Sequence, residues 1–493
     1  MNEEKQEIIS QRYEKIDRIR ERGFNPYSNE FKPKHQIAEV RDRLDSLSKE
    51  EIEKIEDEFS VAGRIVRLNF MGKVNFLGIR DRTGEIQVYL NRNDLTEDKQ
   101  WLLKQLDVGD FIGTYGRAFR TRTNELTIYG KDFVLLTKSI RPLPEKWHGL
   151  KDVEIRYRQR YVDLIANPKA REILFTRAKI ISLLRRFLED RGFVEMETPI
   201  LQSVPGGALA RPFITHHNAL DINLYLRIAT ELHLKRLVVG GFERVYEIGR
   251  CFRNEGISTW HNPEYTMLEF YMAYADYEDL IKLTEGLMVF LVNQIHGKTK
   301  IPLYEKELDF ATPFARITME EAVAKKMGWT REEIRKGDVS KNWLKQKGIK
   351  LLETDGWGKA LAYVFEEAIE PEIFQPTFIT QFPVEISPLS RRNEKDPELT
   401  DRFELIIAGK EVANAFSELN DPADQRRRFE EQARAKARGD EEAHPIDEDF
   451  IQSLEVGMPP CAGEGIGIDR LTMVLTNSAS IREVIPFPLL RPE

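Results

Sequence analysis

The sequence predicts an α+β protein in which a small five-stranded β-barrel precedes a larger domain, an antiparallel β-sheet flanked by helices. Three observations lead to this fold class. The chain has 493 residues, which is too long for a single hydrophobic core. Residues 59–141 consist of short β-rich runs, whereas the remainder alternates helical patterns with apolar strands. Two of those strands meet at a tight turn around residues 408–410, and strands joined by so short a turn pair in antiparallel fashion.

Composition narrows the classes of protein to which the chain can belong. Hydrophobic residues make up 41% and charged residues 32%, as in water-soluble globular proteins. No run approaches eighteen apolar residues and the start, MNEEKQEIIS, is acidic and polar, so neither a membrane span nor a signal peptide is expected. Cys251 and Cys461 are the only cysteines and lack the spacing of a zinc site. We therefore expect a cytoplasmic protein without a membrane partner.

Residues 1–58 are predicted to form an N-terminal helical extension. Isoleucines at positions 8, 9, 16 and 19 follow a helical spacing among many charged residues, which is typical of an amphipathic helix. Its basic side chains are candidates for RNA contacts, although a solvated face is the more frequent meaning of such a run. These basic residues are Arg12, Lys15, Arg18, Arg20 and Arg22.

Residues 59–141 are predicted to form a barrel of the oligonucleotide-binding (OB) kind. Five β-rich runs, with a longer polar connection from Asn91 to Leu106, match its strand count. The net charge of the chain is −8, yet this segment carries +5, as expected of a module that touches nucleic acid. An exposed Phe76 can stack on a base while Gln87 and Glu125 read its edge; a barrel that serves only for packing is the alternative.

The remaining chain divides into a linker at 142–168, marked by two early prolines, and a second domain at 169–493. A long helix at 170–192 feeds the strand FVEMETPIL, and further strands follow as RVYEIGRCF, PEYTMLEFYMAY, DRFELIIAG and EVANAFSEL. Residues 305–375 are rich in helical patterns and are predicted to be an insertion between these strands.

Two arginine-centred segments carry the strongest chemical signal. The first reads FRNEG at 252–256 and continues as HNPEY at 261–265, and the second reads GEGIGIDR at 463–470. Each places a guanidinium next to a strand, where its planar donors can bind phosphate or stack on a flat ring. The glycines at 463–467 lack the GxGxxG spacing and precede no βαβ unit, so a dinucleotide loop is rejected.

Carboxylates form two further candidate groups. Glu404 and Glu411 fall on the two arms of the predicted hairpin and can converge to bind Mg²⁺, although a surface coincidence is the favoured alternative from spacing alone. Glu231, Glu269 and Glu418 fall in the strand or strand-end contexts ATELHL, TMLEFYM and AFSEL. Buried unpaired carboxylates are costly, so three in one site require cationic partners.

The arginine segments resemble motifs 2 and 3 of the class II aminoacyl-tRNA synthetases. The runs WHGLKDVEIRYRQRYVDLIAN, THHNAL and LKRLVVGGFERVYEIGR are similar to those of the bacterial lysyl members in particular. The resemblance extends over nearly the whole chain. It implies a ligase that activates L-lysine with ATP and Mg²⁺ to lysyl-adenylate and transfers lysine to the 3′-terminal adenosine of tRNA(Lys). It also implies a homodimer, because the helix and strand leading to Pro199 resemble motif 1.

The resemblance also implies roles for individual residues. Arg253 contacts the α-phosphate and the substrate carboxylate, His261 and Arg470 reach the γ-phosphate, and Tyr265 and Arg470 enclose the adenine. With Arg253, Arg470 and His261 as the catalytic residues, the implied ATP ligands also include Glu255, Asn262, Tyr265, Glu404 and Glu411, the last two holding magnesium. Glu418 takes the ε-ammonium and Glu231 lies near the α-amino group. The other implied lysine-binding residues are Gly207, Arg253, Glu269, Tyr271, Asn414 and Phe416, and the implied anticodon-binding residues are Phe76, Gln87 and Glu125.

Four positions depart from the pattern that we associate with this family. Thr230 replaces a usual proline and is expected to shift the backbone beside a substrate carboxylate. Trp260 replaces a frequent arginine near pyrophosphate, Tyr265 a phenylalanine, and Glu464 a leucine. Three other functions remain open: an aspartate or asparagine enzyme, a non-catalytic RNA-binding paralogue, and a protein-lysylating relative. The acidic pocket argues against an aspartate or asparagine enzyme. The retained arginines and carboxylates argue against a non-catalytic paralogue, and the intact barrel argues against a protein-lysylating relative.

Overall fold

The chain divides into two units, Met1–Lys151 and Asp152–Glu493. The structure is a computed structural model that describes residues 3–144, 152–208, 210–352, 355–437 and 445–492. Part of the predicted linker, 145–151, lies outside the described residues. From residue 153 onward, the segment predicted as a linker is largely helical and belongs to the second unit.

The first unit contains the predicted barrel. Its five strands close in the order β1-β2-β3-β5-β4, with β3 and β5 parallel and the other pairs antiparallel. The strands are β1 (Glu58–Met71), β2 (Val74–Arg80), β3 (Glu85–Asn91), β4 (Phe111–Arg120) and β5 (Leu126–Thr137). Alternate residues such as Ile86, Val88 and Leu90 point into the barrel and are buried. The predicted OB-type fold is confirmed.

Four helices accompany the barrel. They are α1 (Glu3–Glu21), α2 (Ile37–Leu44), α3 (Lys49–Ile52) and α4 (Glu97–Leu103). In α1, Ile16 and Ile19 are buried as the helical spacing predicts, but so is Arg12. The guanidinium of Arg12 donates to the carbonyl oxygen of Ser139 at 2.9 Å, and Lys15 binds Asp107. Arg12 is buried by these contacts and Lys15 is paired, so an RNA contact of this helix stays a prediction for its other basic residues and for the exposed part of Lys15.

The second unit is built on an eight-stranded sheet in the order β14-β15-β16-β17-β18-β11-β10-β6. Its central pairs are antiparallel, as predicted, whereas the two edge pairs, β14 with β15 and β6 with β10, are parallel. Smaller sheets are formed by β7, β9 and β8 and by β12 and β13. The strands are β6 (Val194–Glu195), β7 (Leu201–Gln202), β8 (Ile214–His217), β9 (Ile222–Leu226), β10 (Arg244–Phe252), β11 (Glu264–Ala273), β12 (Lys300–Leu303), β13 (Lys306–Asp309), β14 (Ala315–Thr318), β15 (Thr377–Thr380), β16 (Arg402–Ile407), β17 (Lys410–Ser417) and β18 (Cys461–Gly467).

Helices flank both faces of this sheet, and those on one face enclose its main hydrophobic core. Ile180 and Leu184 of α7, Leu287 of α9 and Leu471 of α16 are buried against Ile466 of β18. The helices of this unit are α5 (Val153–Arg158), α6 (Arg160–Ala166), α7 (Pro168–Glu189), α8 (Glu231–Val239), α9 (Tyr277–His296), α10 (Met319–Met327), α11 (Arg331–Lys336), α12 (Asp338–Gln346), α13 (Trp357–Ala368), α14 (Pro422–Ala437), α15 (Glu448–Gly457), α16 (Ile468–Thr476) and α17 (Ile481–Val484). Helices α10–α13 lie between β14 and β15, within the range where the sequence predicts an insertion. No helix among the described residues is long and apolar enough to cross a membrane.

Candidate functional site

Arg253 lies at the point where β10 ends and turns towards β11. Its backbone N–H donates to the carbonyl oxygen of Pro263 at 2.8 Å, which fixes the loop across the strand end. The guanidinium carbon is 5.2 Å from the centre of the Tyr265 ring. Nε of Arg253 is buried and has no hydrogen-bond partner in the part of the chain that the structure describes. A buried donor without a partner is costly, so this guanidinium is arranged for a ligand.

Arg470 reaches the same place from the other arginine segment. It lies in the first turn of α16, directly after β18, and Asp469 anchors that turn by accepting from the backbone N–H of Thr266 at 2.8 Å. One Arg470 amino group donates to Glu411, and the other lies 3.3 Å from Nε2 of His261. Burial and the charge of Arg470 lower the pKa of His261, so the imidazole is neutral at pH 7.

Residues of both segments line one cavity of about 710 Å³, which we call the arginine cavity. Of the predicted ATP ligands, it contains Arg253, Glu255, His261, Asn262, Tyr265, Glu411 and Arg470. Glu404 is the predicted ATP ligand that does not line it. The Oδ1 atom of Asn262 is buried without a hydrogen-bond partner among the described residues, which leaves another polar group for a ligand.

Trp260 also lines the arginine cavity, at the position where the sequence suggested the loss of a cation. Its ring packs against a small hydrophobic cluster that includes Ile173 and Ile481. The ammonium group of Lys410 lies 6.0 Å from the centre of the ring. Lys410 thus provides a positive charge beside the indole.

A second cavity of about 960 Å³ adjoins the first, and we call it the glutamate cavity. The predicted lysine-binding residues that line it are Gly207, Glu231, Arg253, Glu269, Tyr271, Asn414 and Phe416. Four residues, Arg253, Met267, Glu411 and Gly465, line both cavities. A ligand in the glutamate cavity and a ligand in the arginine cavity therefore meet at Arg253. The remaining predicted lysine-binding residue, Glu418, does not line this cavity; it lines a separate one with Ser417 and Cys461.

Glu269 is one of the acidic groups of the glutamate cavity, and it is only 4% exposed. Burial, followed by the charge of Glu231, raises the pKa of Glu269 to about 7. One of its oxygens accepts from the backbone N–H of Thr230 at 3.3 Å, and the other is buried without a partner in the described ranges. The departure at Thr230 thus has a direct consequence, because a proline there would lack this N–H.

Glu231 and Glu418 share a partner that sequence reasoning missed. The side chain of Lys235 is fully buried, with Nζ 2.5 Å from Glu231 Oε1 and in an ion pair with Glu418. The interpretation of ATELHL as a strand context is wrong, since Glu231 is the first residue of α8. Its helical spacing to Lys235 explains their contact, because residues four apart lie on one helix face. The four-residue spacing of Glu231 and Lys235 was the only sequence signal for this contact, and such spacings are common.

Glycines shape the wall of the glutamate cavity. Gly207 has φ +89°, and a Cβ there would lie 3.1 Å from that of Ala229. On β18, a Cβ at Gly463 would lie 2.2 Å from the Tyr271 ring, and one at Gly465 would lie 2.7 Å from Met267. Only a residue without a side chain fits at Gly463, and the two-residue spacing of these glycines follows the period of a strand. The two-residue spacing of Gly463 and Gly465 was the sequence signal that could have indicated this part of the cavity wall.

Glu404 and Glu411 both face the glutamate cavity. The register of β16 and β17 shifts by one residue between Leu405 and Ile406, so that Glu411 pairs with Ile406 while Glu404 pairs with Asn414. Such an irregularity changes which residues share a face, which explains why Glu411 and Asn414 line the same cavity. Burial and then the neighbouring Glu411 raise the pKa of Glu404 to about 8. Arg402 donates to Glu404 at 2.6 Å and Arg470 to Glu411 at 3.2 Å, so an arginine compensates each carboxylate in this structure. Their oxygens are of the kind that Mg²⁺ requires.

The predicted anticodon-binding residues lie in the barrel, in the first unit. Phe76 of β2 pairs with Tyr89 of β3, and their ring centres are 5.3 Å apart. Tyr89 also contacts Phe119 and Tyr129, which the sequence analysis missed, so four aromatic rings form a continuous strip. The amide of Gln87 donates to the Thr127 hydroxyl, and the Glu125 carboxylate lies 3.6 Å from Arg41. These side chains lie outside the buried barrel core.

Comparison with known families agrees with this division of the molecule. A model described as tRNA synthetases class II (D, K and N) matches residues 152–491, and a model described as an OB-fold nucleic acid binding domain matches residues 59–136. The first match alone extends over more than half of the chain. The chain therefore belongs to the class II tRNA synthetases.

Curated relatives narrow the family further. A lysine–tRNA ligase from Pelotomaculum thermopropionicum is 52% identical over 492 residues, covering 99% of this chain and 96% of the relative. A lysine–tRNA ligase from Oceanobacillus iheyensis is 50% identical with full coverage of both chains. One from Bacillus subtilis is 49% identical, covering 99% and 98%. Within its class, the chain groups with the bacterial lysine–tRNA ligases.

Proposed function

We propose that this protein is a lysine–tRNA ligase. It joins L-lysine to ATP as lysyl-adenylate and then transfers lysine to the 3′-terminal adenosine of tRNA(Lys). The observation that carries this proposal is the meeting of the two cavities at Arg253, one lined by arginine and histidine and the other by carboxylates. Such an arrangement suits a phosphate-bearing ligand beside a cationic one.

The first step needs charge neutralisation rather than a general base. The carboxylate of lysine is already ionised at pH 7, and one of its oxygens attacks the α-phosphorus while the bond to pyrophosphate breaks. Arg253 would bind both the carboxylate and the α-phosphate, because it borders both cavities. Arg470 and the neutral His261 would bind the outer phosphates, with Tyr265 against the adenine. Positioning and preorganised charge supply most of the rate in such reactions.

Glu404 and Glu411 would hold Mg²⁺, and Glu255 and Asn262 would complete the nucleotide site. The metal supplies positive charge to the phosphates when it is bound. Two features of this chain support the assignment: the raised pKa of Glu404 and its position beside Glu411 on the shared cavity wall. In the second step, the terminal hydroxyl of tRNA attacks the lysyl carbonyl carbon and AMP leaves.

Selectivity for lysine follows from the acidic set Glu231, Glu269 and Glu418. An aspartate or asparagine side chain would place a carboxylate or a neutral amide against these groups, whereas an ammonium compensates their charge. Gly207, Tyr271, Asn414 and Phe416 would line the hydrocarbon part of the substrate. A pocket built on hydrogen bonds rejects analogues that lack the partner group by roughly 10⁴–10⁵-fold.

Two macromolecular contacts complete the proposal. The aromatic strip with Phe76, Gln87 and Glu125 would bind anticodon bases of tRNA(Lys) by stacking and edge recognition. A homodimer would form along the helix and strand that lead to Pro199, where Val194 is 48% and Ile200 44% exposed. Exposed apolar side chains gathered in one segment are typical of a protein interface. The cytoplasm is the proposed location, and the free thiols of both cysteines suit its reducing conditions.

Amino-acid-dependent ATP–pyrophosphate exchange tests this function. We expect lysine, among the twenty standard amino acids, to support rapid exchange. Ornithine is expected to be the least well rejected analogue, since a missing methylene costs only about 1–3 kcal/mol. Faster exchange with aspartate or asparagine than with lysine would refute the proposal.

A further inference from the structure

Lys235 is a buried charge that the proposed reaction does not use, although it contacts two side chains assigned to lysine binding. It lies on α8, one helical turn after Glu231. Its ammonium contacts Glu231 at 2.5 Å and pairs with Glu418 of the segment after β17. The side chains of Lys235 and Glu418 have no exposed surface. Removing one partner from such a buried ion pair is strongly destabilising, so the contact is permanent in the folded protein.

Aromatic rings surround the same ammonium. Nζ of Lys235 lies 5.4 Å from the centre of Phe416 and 6.0 Å from the centres of Tyr271 and Phe450. Tyr271 and Phe416 also line the glutamate cavity, but Lys235 does not. Lys235 therefore lies behind the cavity wall and contacts the rear of the side chains that face a ligand.

Glu418 has one oxygen left for the cavity side. One of its oxygens pairs with Lys235, and Oε1 is buried without a hydrogen-bond partner among the residues that the structure describes. A Cβ added at Gly463 would lie 2.5 Å from this Oε1, and Gly463 lines the cavity. The absence of a side chain at Gly463 thus leaves Oε1 next to the space where a cation would bind.

Charge balance among Glu231, Glu269, Glu418 and Lys235 favours a ligand that carries ammonium groups. With all three carboxylates ionised, Glu231, Glu269 and Glu418 carry three negative charges, and Lys235 cancels one of them. The two that remain equal the two ammonium groups of free lysine, while the lysine carboxylate faces Arg253. Without Lys235 the pocket would hold one negative charge too many, and adjacent carboxylates relieve such an excess by taking up a proton.

We propose that Lys235 is a positioning residue for lysine recognition, which opposes the protonation of Glu231 and Glu418 that burial favours and turns a free oxygen of Glu418 towards the substrate. This inference rests on the proposed function, because it assumes lysine in the glutamate cavity. Lys235 does not touch the substrate itself. It acts through the two carboxylates, in the way that outer groups orient the ligands of a metal.

The other ionisable groups around this cluster come from several elements. They are Glu269 and Tyr271 on β11, Arg402 on β16 and Cys461 on β18. Burial disfavours the charged form of Lys235, but Glu231 and Glu418 outweigh it and raise its pKa. Lys235 therefore stays protonated throughout the working pH range.

The test compares Lys235→Met and Lys235→Gln with the full-length wild-type protein in lysine-dependent exchange between pH 6.5 and 8.5. We expect the lysine KM at pH 7 to rise at least tenfold and to fall again towards pH 8.5, as the shared proton leaves the two carboxylates. The KM for ATP and kcat should change less than threefold. A role confined to folding would not produce this separation or this pH dependence.

Lys138→Met provides a matched control. Lys138 is also fully buried and also bridges two carboxylates, Asp107 and Asp110, but it belongs to the barrel unit. Its loss should lower stability and leave the lysine KM within twofold of wild type. The wild-type assay comes first: if lysine drives no exchange, the proposed function fails before the inference is reached.

Each remaining outcome decides the inference. A folded Lys235 variant, verified by circular dichroism and gel filtration, with a lysine KM within twofold of wild type at pH 7 would overturn it. A raised KM that does not vary with pH would also overturn it, because the shared proton would be absent. If neither variant folds while Lys138→Met does, Lys235 is a residue of the folding core and the inference is withdrawn.

Discussion

Each unit of the protein buries one lysine between two carboxylates, and the two clusters differ in what they leave unpaired. In the barrel, both oxygens of Asp110 are occupied, one by the backbone N–H of Ser139 and the other by Lys138. In the second unit, Lys235 pairs with Glu231 and Glu418, but Glu418 Oε1 lacks a hydrogen-bond partner in the described part of the chain. Both clusters consist of one lysine and two carboxylates. We call the barrel cluster closed, because its carboxylate oxygens have partners, and the cluster of the second unit open, because Glu418 Oε1 has none among the described residues.

The difference teaches where binding is to be sought in this molecule. A closed cluster gains nothing from a ligand, because every donor and acceptor already has its partner. In an open cluster, burial has removed a polar atom from water without giving it a new hydrogen bond, which is unfavourable. A ligand of opposite charge offsets this loss when it binds. Glu269 and Arg253 are open in the same sense, each with a buried atom that has no partner among the described residues. All of these groups border the glutamate cavity or lie directly behind its wall.

The largest effect is expected where an open group faces the reacting phosphate. Arg253→Ala should lower lysine-dependent exchange by roughly 10²–10³-fold, on the scale of deleting a preorganised charge donor. Arg250→Ala is the control, since Arg250 lies three residues earlier, on β10, but is partly exposed and pairs with Glu264. Exchange rates should be measured with saturating ATP and lysine. Similar losses in both variants would mean that the role assigned to Arg253 is wrong.

Asp107 of the barrel cluster and Glu464 of the second unit should show opposite pH dependences of stability. The pKa of Asp107 is lowered: burial alone would raise it, but bonds from Lys138 and Lys15 outweigh burial. Its stabilisation is present above its usual pKa and is lost as pH falls. Glu464 is buried inside the second unit, and this burial raises its pKa to about 8. The folded state retains that proton when the unfolded state has lost it, so stability falls as pH rises from the usual value towards 8.

The geometry around Glu464 supports a protonated side chain. The Thr284 hydroxyl lies 2.6 Å from Glu464 Oε2 and 2.7 Å from the carbonyl oxygen of Leu280. A hydroxyl has one proton, so Thr284 can donate to the carbonyl while it accepts from a protonated Glu464. Glu464→Gln removes the titration and keeps the shape.

Urea unfolding at pH 5.5 and 7.5 measures this effect. Relative to the Gln variant, the wild type should lose about 2–3 kcal/mol of unfolding free energy between these pH values, at about 1.4 kcal/mol per pH unit. Between pH 5.5 and 7.5, wild type should lose no unfolding free energy relative to Asp107→Asn, because the Asp107 carboxylate titrates at lower pH. Parallel curves for wild type and Glu464→Gln would mean that Glu464 is charged in the folded protein.

Sequence patterns predicted the barrel and the central sheet because alternating apolar residues and short turns are local features. The edge strands β6 and β14 were not predicted to run parallel, since two and four residues carry too little pattern. Lys235 was missed for another reason. A lysine on a helix is usually exposed, and only the packing of α8 against β10, β11 and α15 shows that this one is buried. The bond from Thr230 to Glu269 likewise depends on a contact between residues far apart in the chain.

A smaller and separable effect is expected in the barrel. Phe76→Ala removes one ring from the aromatic strip and should raise the KM for tRNA by about tenfold, within the 1–3 kcal/mol of a lost base stack. Lysine-dependent exchange should not change, because the proposed ATP and lysine ligands belong to the second unit. Phe133→Ala is the control for packing, since Phe133 is 1% exposed in the barrel core and should lower stability instead. Equal losses of exchange and of tRNA charging in Phe76→Ala would identify it as a core residue.

The smallest effect concerns the half-satisfied carboxylate of Glu269. Thr230→Pro removes the N–H that Glu269 accepts, whereas Thr230→Ala keeps the N–H and removes only the hydroxyl. Because that bond favours the ionised form, its loss should raise the pKa of Glu269 further above about 7. The lysine KM of the Pro variant at pH 7 should therefore rise by about three- to fivefold, on the scale of an ordinary hydrogen bond, and recover towards pH 8.5. The Ala variant should change less, because the Thr230 hydroxyl has no hydrogen-bond partner among the described residues. A rise of the same size in both variants, or one that persists at pH 8.5, would assign the effect to the backbone at position 230 and remove Glu269 from the open groups.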